Sequence, residues 1–137
     1  MEKEFIPYEQ ALALKELGFD EPCFGYYVGK DKEVYMSNET LSAPFQFRLE
    51  SKTTFVAPTY QQAFRWFREK YNLRGFIGFR PNVKQFDCHI YDMSLSGKEY
   101  VKQRTTEEYN KDPKVGTYEE SELECLKKLI EIVKKNE

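Results

Sequence analysis

The sequence predicts an α+β domain, in which an antiparallel β-sheet of about four to six strands carries three α-helices mainly on one face. Two observations favour this fold class. Three stretches place apolar residues at helical spacing, at 7–17, 59–73 and 117–135. The segments between them alternate with period two around turn residues, which is typical of hairpins and hence of an antiparallel sheet. Helices separated by hairpins are typical of an α+β domain.

Length and composition agree with a folded domain. The chain has 137 residues, which predicts a single domain over 1–137. Aromatic residues make up 16% of it, and Gly and Pro number only 7 and 6, which excludes disordered and collagen-like chains. No apolar run approaches the roughly 20 residues that span a bilayer, so we expect no membrane association.

The first helix and hairpin have clear boundaries. Pro7 suits the first helical position because its missing N–H would be unpaired there, and Gly18 provides a left-handed stop. Strands at 23–28 and 33–37 then form a predicted hairpin.

Alternation assigns faces to the strand at 23–28. It places Phe24 and Tyr26 together on the face that we expect to be the core, and Tyr27 on the other face.

The second and third helices each begin at a capping box. Thr59 is followed three residues later by Gln62, and Thr117 by Glu120. The remaining predicted elements are strands at 45–49, 53–56, 74–80, 86–93 and 98–102, and a long polar loop at 103–116.

Three stretches resemble a known group of proteins. They lie at 5–23, 57–71 and 118–133, and together they resemble uncharacterised small proteins of Bacteroidetes and of the phages or prophages that infect them. The resemblance implies a bacterial or phage source and an intracellular setting. It implies no activity, ligand or catalytic residue.

Charge and cysteine content are typical of a cytoplasmic protein. The formal net charge is −2, which is not the basic excess of a general nucleic-acid or membrane binder. The three cysteines are widely spaced, odd in number and without a C-x-x-C motif, so we expect reduced thiols. The residues at the N-terminus do not follow the pattern of a secretory signal or of a transit peptide, so we expect neither.

Catalytic and metal-binding patterns are weak. His89 is the single histidine and follows Cys88, but strand neighbours point to opposite faces and cannot pair. One histidine without paired cysteines excludes the common zinc patterns, and the stretch 75–78 lacks the spacing of a phosphate-binding loop. We therefore expect no catalytic residue, no metal and no cofactor.

One candidate surface is basic. The stretch from Gln61 to Lys84 contains six basic residues and one acidic residue, which gives it a local net charge of +5. Arginines beside aromatic rings can hold a nucleic-acid backbone and stack bases. The candidate residues are Arg65, Trp66, Arg68, Arg74 and Arg80.

A second candidate surface is the polar face of the strand at 86–93. Asp87, His89 and Tyr91 share that face by alternation, and Tyr27 and Tyr35 are expected beside them. Tyrosine suits protein recognition because it offers a large contact area at low entropic cost.

These patterns favour a non-enzymatic protein-interaction module with an unidentified protein partner. One alternative is a nucleic-acid-binding accessory protein that uses the basic surface, and another is a small enzyme with a site near His89. Homo-oligomerisation is left open.

Overall fold

A computed structural model describes residues 2–41, 54–82, 84–94 and 116–136. Within these ranges the chain forms three α-helices and five β-strands, which confirms the α+β class. The elements in chain order are α1 (Tyr8–Glu16), β1 (Cys23–Tyr27), β2 (Tyr35–Leu41), β3 (Phe55–Ala57), α2 (Tyr60–Tyr71), β4 (Leu73–Arg80), β5 (Gln85–Asp92) and α3 (Tyr118–Lys135).

The described strands lie in two antiparallel sheets rather than in one. One sheet has the order β2-β1-β3, and the other is the β4–β5 hairpin. The chain divides into two compact units, Met1–Gln62 and Ala63–Glu137, with one sheet in each. A single domain over 1–137, with all three helices on one face, stays a prediction.

The first unit is built around β1 and α1. Strand β1 pairs with both β2 and β3, and α1 packs against β3. Ile6, Leu14 and Phe55 are fully buried there. Helix α1 is one residue shorter at each end than predicted, because Pro7 is extended and serves as the N-cap rather than as the first helical residue, and Leu17 is the C-cap. The predicted stop at Gly18 is confirmed, since Gly18 adopts a φ of 94° and donates its N–H to the Lys15 carbonyl.

The prediction that the Phe24 face of β1 lies in the core is wrong. Phe24 is 53% exposed, whereas Tyr27 is only 3% exposed. The Tyr27 hydroxyl donates to the Ile6 carbonyl at 2.7 Å, so its polar atom is satisfied in the core. The neighbouring Gly25 lies directly under Phe5, where a Cβ atom would be 2.6 Å from the ring. The N-terminal segment therefore covers the face of Gly25 and Tyr27 rather than that of Phe24.

The second unit is built around the β4–β5 hairpin. Its register runs without a break from Leu73 opposite Asp92 to Arg80 opposite Gln85, as the predicted strands 74–80 and 86–93 require. Helix α2 ends at Tyr71, two residues before the predicted end, because Asn72 adopts a φ of 59° and turns the chain into β4.

Helix α3 packs against both strands of the hairpin. Its predicted N-cap is confirmed, since Thr117 Oγ1 accepts the Glu120 N–H at 3.2 Å. Thr59 caps α2 in the same way, accepting the Gln62 N–H at 3.2 Å. The predicted strand at 53–56 corresponds to β3, whereas those at 45–49 and 98–102, and the loop at 103–116 except Gly116, lie outside the described residues.

Candidate functional site

The β4–β5 hairpin presents two different faces. On one, which we call the helix face, a Cβ atom added to Gly75 would lie 3.0 Å from both Cys125 Sγ and Leu129 Cδ1 of α3. Because neighbouring residues alternate along each strand, their neighbours project to the other side. We call that side the aromatic face; it carries Arg74, Phe76 and Gly78 from β4, and Asp87, His89 and Tyr91 from β5.

Three rings stack on the aromatic face. Phe76 lies opposite His89 in the register, and their ring centroids are 5.0 Å apart with an interplanar angle of 11°. The Tyr91 ring is 6.0 Å from Phe76 at an angle of 12°. Aromatic pairs of this kind contribute about 0.5–1.5 kcal/mol beyond the area they bury. The rings are therefore held in fixed orientations before any partner binds.

A buried carboxylate orients the imidazole of His89. Asp87 Oδ1 lies 2.8 Å from His89 Nε2, and the two side chains are 3% and 11% exposed. Gly78 lies opposite Asp87 and leaves room for the pair, since a Cβ atom there would be 2.8 Å from His89 Nε2. The pair fixes the ring against Phe76, but the burial of Asp87 removes this residue from the predicted interaction surface.

Arg74 supplies an exposed positive charge at the edge of the ring stack. Its guanidinium carbon lies 5.3 Å from the centroid of the Phe76 ring, and the residue sits opposite Tyr91 in the register. Among the described residues Arg74 forms no ion pair.

The predicted basic surface is only partly present. Arg65 and Arg68 are exposed on α2, and Arg80 lies half-buried on the side of Arg74 by alternation. Trp66 is only 5% exposed, so its proposed use as a stacking platform is wrong. Its ring packs edge-on against Phe67, and the Lys70 ammonium lies 5.0 Å from its centroid.

The predicted tyrosine surface divides between the two sheets. Tyr35 is 43% exposed on β2, where its hydroxyl donates to the Asp31 carboxylate at 2.6 Å and its ring stacks on Tyr26. This hydrogen bond raises the pKa of Tyr35 and lowers that of Asp31. Tyr27 is buried, so the prediction that it lies on an interaction surface is wrong. It is buried in the core because its hydroxyl finds a hydrogen-bond acceptor there, the Ile6 carbonyl.

The prediction that Asp87, His89 and Tyr91 share a face is confirmed by the register. The sequence prediction missed that Arg74 and Phe76 join them. The signal was partly present, because the two predicted strands follow each other closely in sequence, and the register is then set by the length of the connection at 81–84.

Raised pKa values make the thiols of Cys23 and Cys125 poor nucleophiles. All three cysteines are buried thiols. Burial, with a smaller contribution from the charge of Glu21, raises the pKa of Cys23 to about 12. The pKa of Cys125 is also raised, first by a hydrogen bond with Cys88 and then by burial. Only the thiolate attacks an electrophile, so Cys23 and Cys125 are unreactive near neutral pH.

The described parts of the chain contain no group of three or more His, Cys, Asp or Glu side chains that could hold a metal ion. No helix within them is long and apolar enough to cross a membrane.

Comparison with protein-family models, with curated proteins and with solved structures finds no match to this chain. The function is therefore inferred from the aromatic face itself.

Proposed function

We propose that this chain is a non-enzymatic protein-interaction module of bacterial or phage origin, that it acts in the cytoplasm, and that it binds a protein partner on the aromatic face. One observation carries this proposal: the guanidinium of the exposed Arg74 lies 5.3 Å from the centroid of the Phe76 ring, which stacks with His89 and Tyr91 on the same sheet face.

This arrangement suits protein recognition. Aromatic residues and arginine are enriched in protein–protein interfaces, and tyrosine and arginine are frequent among the residues that dominate binding energy. Immobilising a side chain on binding costs about 0.5–1.5 kcal/mol, a cost that is reduced when the side chain is already held in place. The stack around Phe76 restrains His89, Tyr91 and Arg74 in this way.

An enzyme with a site near His89 is a weaker explanation. The Asp87–His89 pair has the form of the base and its orienting carboxylate in a catalytic triad. Such a pair needs a nucleophile within reach, and Cys88 and Cys125 lie on the helix face, on the opposite side of the hairpin. The pair is better explained as a support for the ring stack.

Nucleic-acid binding is also less well supported. Base stacking needs an accessible ring, whereas Trp66, the aromatic residue of the predicted basic surface, is buried.

Site-specific photo-crosslinking tests the proposal. A benzophenone amino acid is placed at Tyr91 or, as the control, at the exposed Lys127 of α3, and a lysate of a Bacteroidetes bacterium is irradiated with each protein. We expect a discrete adduct from position 91 only, absent from an Arg74→Ala background and retained in Arg68→Ala, which removes the same charge from α2. Equal adducts from both positions, no adduct at all, or an adduct that ignores Arg74→Ala would contradict the proposal. Mass spectrometry of the adduct separates a foreign protein from a second copy of this chain, and the latter result would replace the partner with a homo-oligomer.

A further inference from the structure

We propose that Cys88 and Cys125 form a redox-responsive pair, which hydrogen peroxide converts into a disulfide that ties α3 to β5. The third cysteine, Cys23, stays a thiol under the same conditions. The pair lies on the helix face of the hairpin, so it is separate from the surface that carries the proposed function.

The two thiols meet between α3 and the hairpin. Cys88 and Cys125 are only 4% and 0% exposed, and a hydrogen bond joins their side chains. The Cys125 sulfur also lies 3.9 Å from the carbonyl oxygen of His89, the residue that follows Cys88 in β5. Proximity of the two sulfur atoms is the first requirement for a disulfide, in which they are about 2.0 Å apart.

Gly75 allows α3 to approach the sheet closely at this point. A Cβ atom on Gly75 would lie 3.0 Å from the Cys125 sulfur. Gly75 is opposite Ile90, which is two residues along β5 from Cys88 and therefore on the same face. The missing side chain at Gly75 thus leaves room for the Cys125 thiol beside the strand that carries Cys88.

The two thiols ionise in order. A hydrogen bond with Cys88, burial and the charge of Cys88 all raise the pKa of Cys125. Cys125 therefore keeps its proton when Cys88 ionises, and donates it to the Cys88 sulfur. Because the thiolate is the form that attacks an electrophile, Cys88 is the sulfur that reacts first with peroxide. Peroxide reaches this buried residue through local openings of the chain, so we expect a reaction over minutes to hours.

One molecule of hydrogen peroxide balances the reaction. The Cys88 thiolate attacks one peroxide oxygen, an S–O bond forms as the O–O bond breaks, and the departing hydroxide takes up the thiol proton as water. The resulting sulfenic acid is neutral, so its charge no longer raises the pKa of Cys125. The Cys125 sulfur then attacks the sulfenic sulfur, an S–S bond replaces the S–O bond, and a second water leaves. Two thiols are oxidised to one disulfide, and the peroxide is reduced to two waters.

Cys23 provides an internal control in the same chain. It belongs to the other compact unit, where its sulfur lies 3.6 Å from the side-chain oxygen of Gln62. Burial raises its pKa to about 12. We therefore expect Cys23 to survive as a thiol when the pair is oxidised.

Peptide mapping after peroxide treatment tests the proposal. The reduced chain is treated with hydrogen peroxide, quenched with catalase, unfolded in iodoacetamide and digested without reductant. We expect a peptide pair joined through Cys88 and Cys125, an alkylated Cys23, and recovery of all three alkylated cysteines after dithiothreitol. Mapping by peptide separates the link from oxygen that is added to the exposed Met36 and Met93.

Urea unfolding then measures whether the link ties α3 to the hairpin. A link between residues distant in sequence restricts the unfolded chain, so the oxidised protein should have a higher urea midpoint than the reduced protein. Dithiothreitol should reverse this shift. Cys23→Ser should show the same shift as the unaltered chain, and Cys125→Ala should show none.

Three mapping results would overturn the proposal: three alkylated thiols after peroxide, a link that includes Cys23, or Cys88 oxidised to sulfinic acid without a link. A urea midpoint that stays level or falls on oxidation would also overturn it, because the link would then form at the expense of the packing of α3. If Cys125→Ala does not fold, mapping of the unaltered chain and of Cys23→Ser decides the outcome. The crosslink from Tyr91 involves neither thiol, so failure of the redox pair and failure of the proposed function are distinguishable.

Discussion

The two hairpins of the described chain, β1–β2 and β4–β5, are both rich in aromatic residues. They differ in what determines which face of the strand is buried. In β5 the apolar face is buried, with Cys88 and Ile90 only 4% and 0% exposed, and on the other face the Asp87 side chain is buried as well, in its pair with His89. In β1 the face that carries Phe24 is exposed, and the face with Gly25 and Tyr27 is buried. Strand periodicity therefore identifies residues that share a face, whereas what packs on them determines which face is inside.

The difference has a local cause in each hairpin. In β5 the contrast between faces is sharp, because Asp87 and His89 alternate with Cys88 and Ile90. In β1 both faces carry aromatic rings, so hydropathy does not separate them. The close approach of Phe5 to Gly25 and the hydrogen bond from Tyr27 to Ile6 then decide the outcome, and both involve residues distant in sequence.

The largest expected loss of stability comes from disrupting the packing of α3 on the helix face of the β4–β5 hairpin. Leu129 is fully buried and lies against Gly75, so Leu129→Ala should leave a cavity and lower the free energy of unfolding by about 3 kcal/mol, within the usual 2–5. Lys127→Ala, on the exposed side of α3, should change it by less than about 0.5 kcal/mol. Urea unfolding followed by circular dichroism measures both. A loss below 1 kcal/mol for Leu129→Ala would contradict the packing of α3 on this hairpin.

The same contrast explains how much could be predicted from sequence. Helix starts at Thr59 and Thr117 and the stop at Gly18 were predictable, because caps depend on residues within one turn. The shared face of Asp87, His89 and Tyr91 was predictable because it depends only on alternation. The burial of Trp66 and the stacking of Phe76 on His89 depend on tertiary packing and strand register, which a periodic pattern alone does not specify.

Gly25→Ala tests what determines the inward face of β1. Its new Cβ atom would lie 2.6 Å from the Phe5 ring and 2.9 Å from the Ala57 carbonyl oxygen, so ring and backbone must both move. We expect a loss of about 2 kcal/mol in urea unfolding. Gly78→Ala should cost less, about 1 kcal/mol, because its clash is with the His89 side chain. If Gly78→Ala proves the more damaging of the two, close packing around Gly25 is not what selects the face.

Tyr27→Phe measures how much the Tyr27 hydroxyl contributes to the free energy of unfolding. The substitution keeps the ring against Tyr8 and Phe55 but leaves the Ile6 carbonyl without its donor in the core. We expect a loss of about 1–2 kcal/mol in the free energy of unfolding. Tyr35→Phe, which removes an exposed hydroxyl, should produce no measurable loss.

The same hydroxyl predicts a pH dependence. Burial, with a smaller effect from the charge of Glu9, raises the pKa of Tyr27 to about 12 from its usual value near 10. The folded chain therefore binds this proton more tightly than the unfolded chain, and the associated stability is complete below pH 10 and is lost as the pH rises towards 12. Tyr27→Phe should lose less stability than the unaltered chain over that interval. Parallel pH curves for the two proteins would show that Tyr27 ionises normally.

Phe24→Thr should have the smallest effect and separates the two possible inward faces of β1 most directly. Phe24 is 53% exposed, and threonine retains a high preference for strands, so the free energy of unfolding should change by about 0.5 kcal/mol or less. If Phe24 were in the core, as hydropathy alone predicts, truncating its ring would cost about 3–5 kcal/mol. The measurement is again urea unfolding, with Tyr27→Phe as the in-strand reference. A greater loss at Phe24 than at Tyr27 would reverse the faces of β1 and would show that the Gly25 and Tyr27 contacts do not determine which side of this strand is buried.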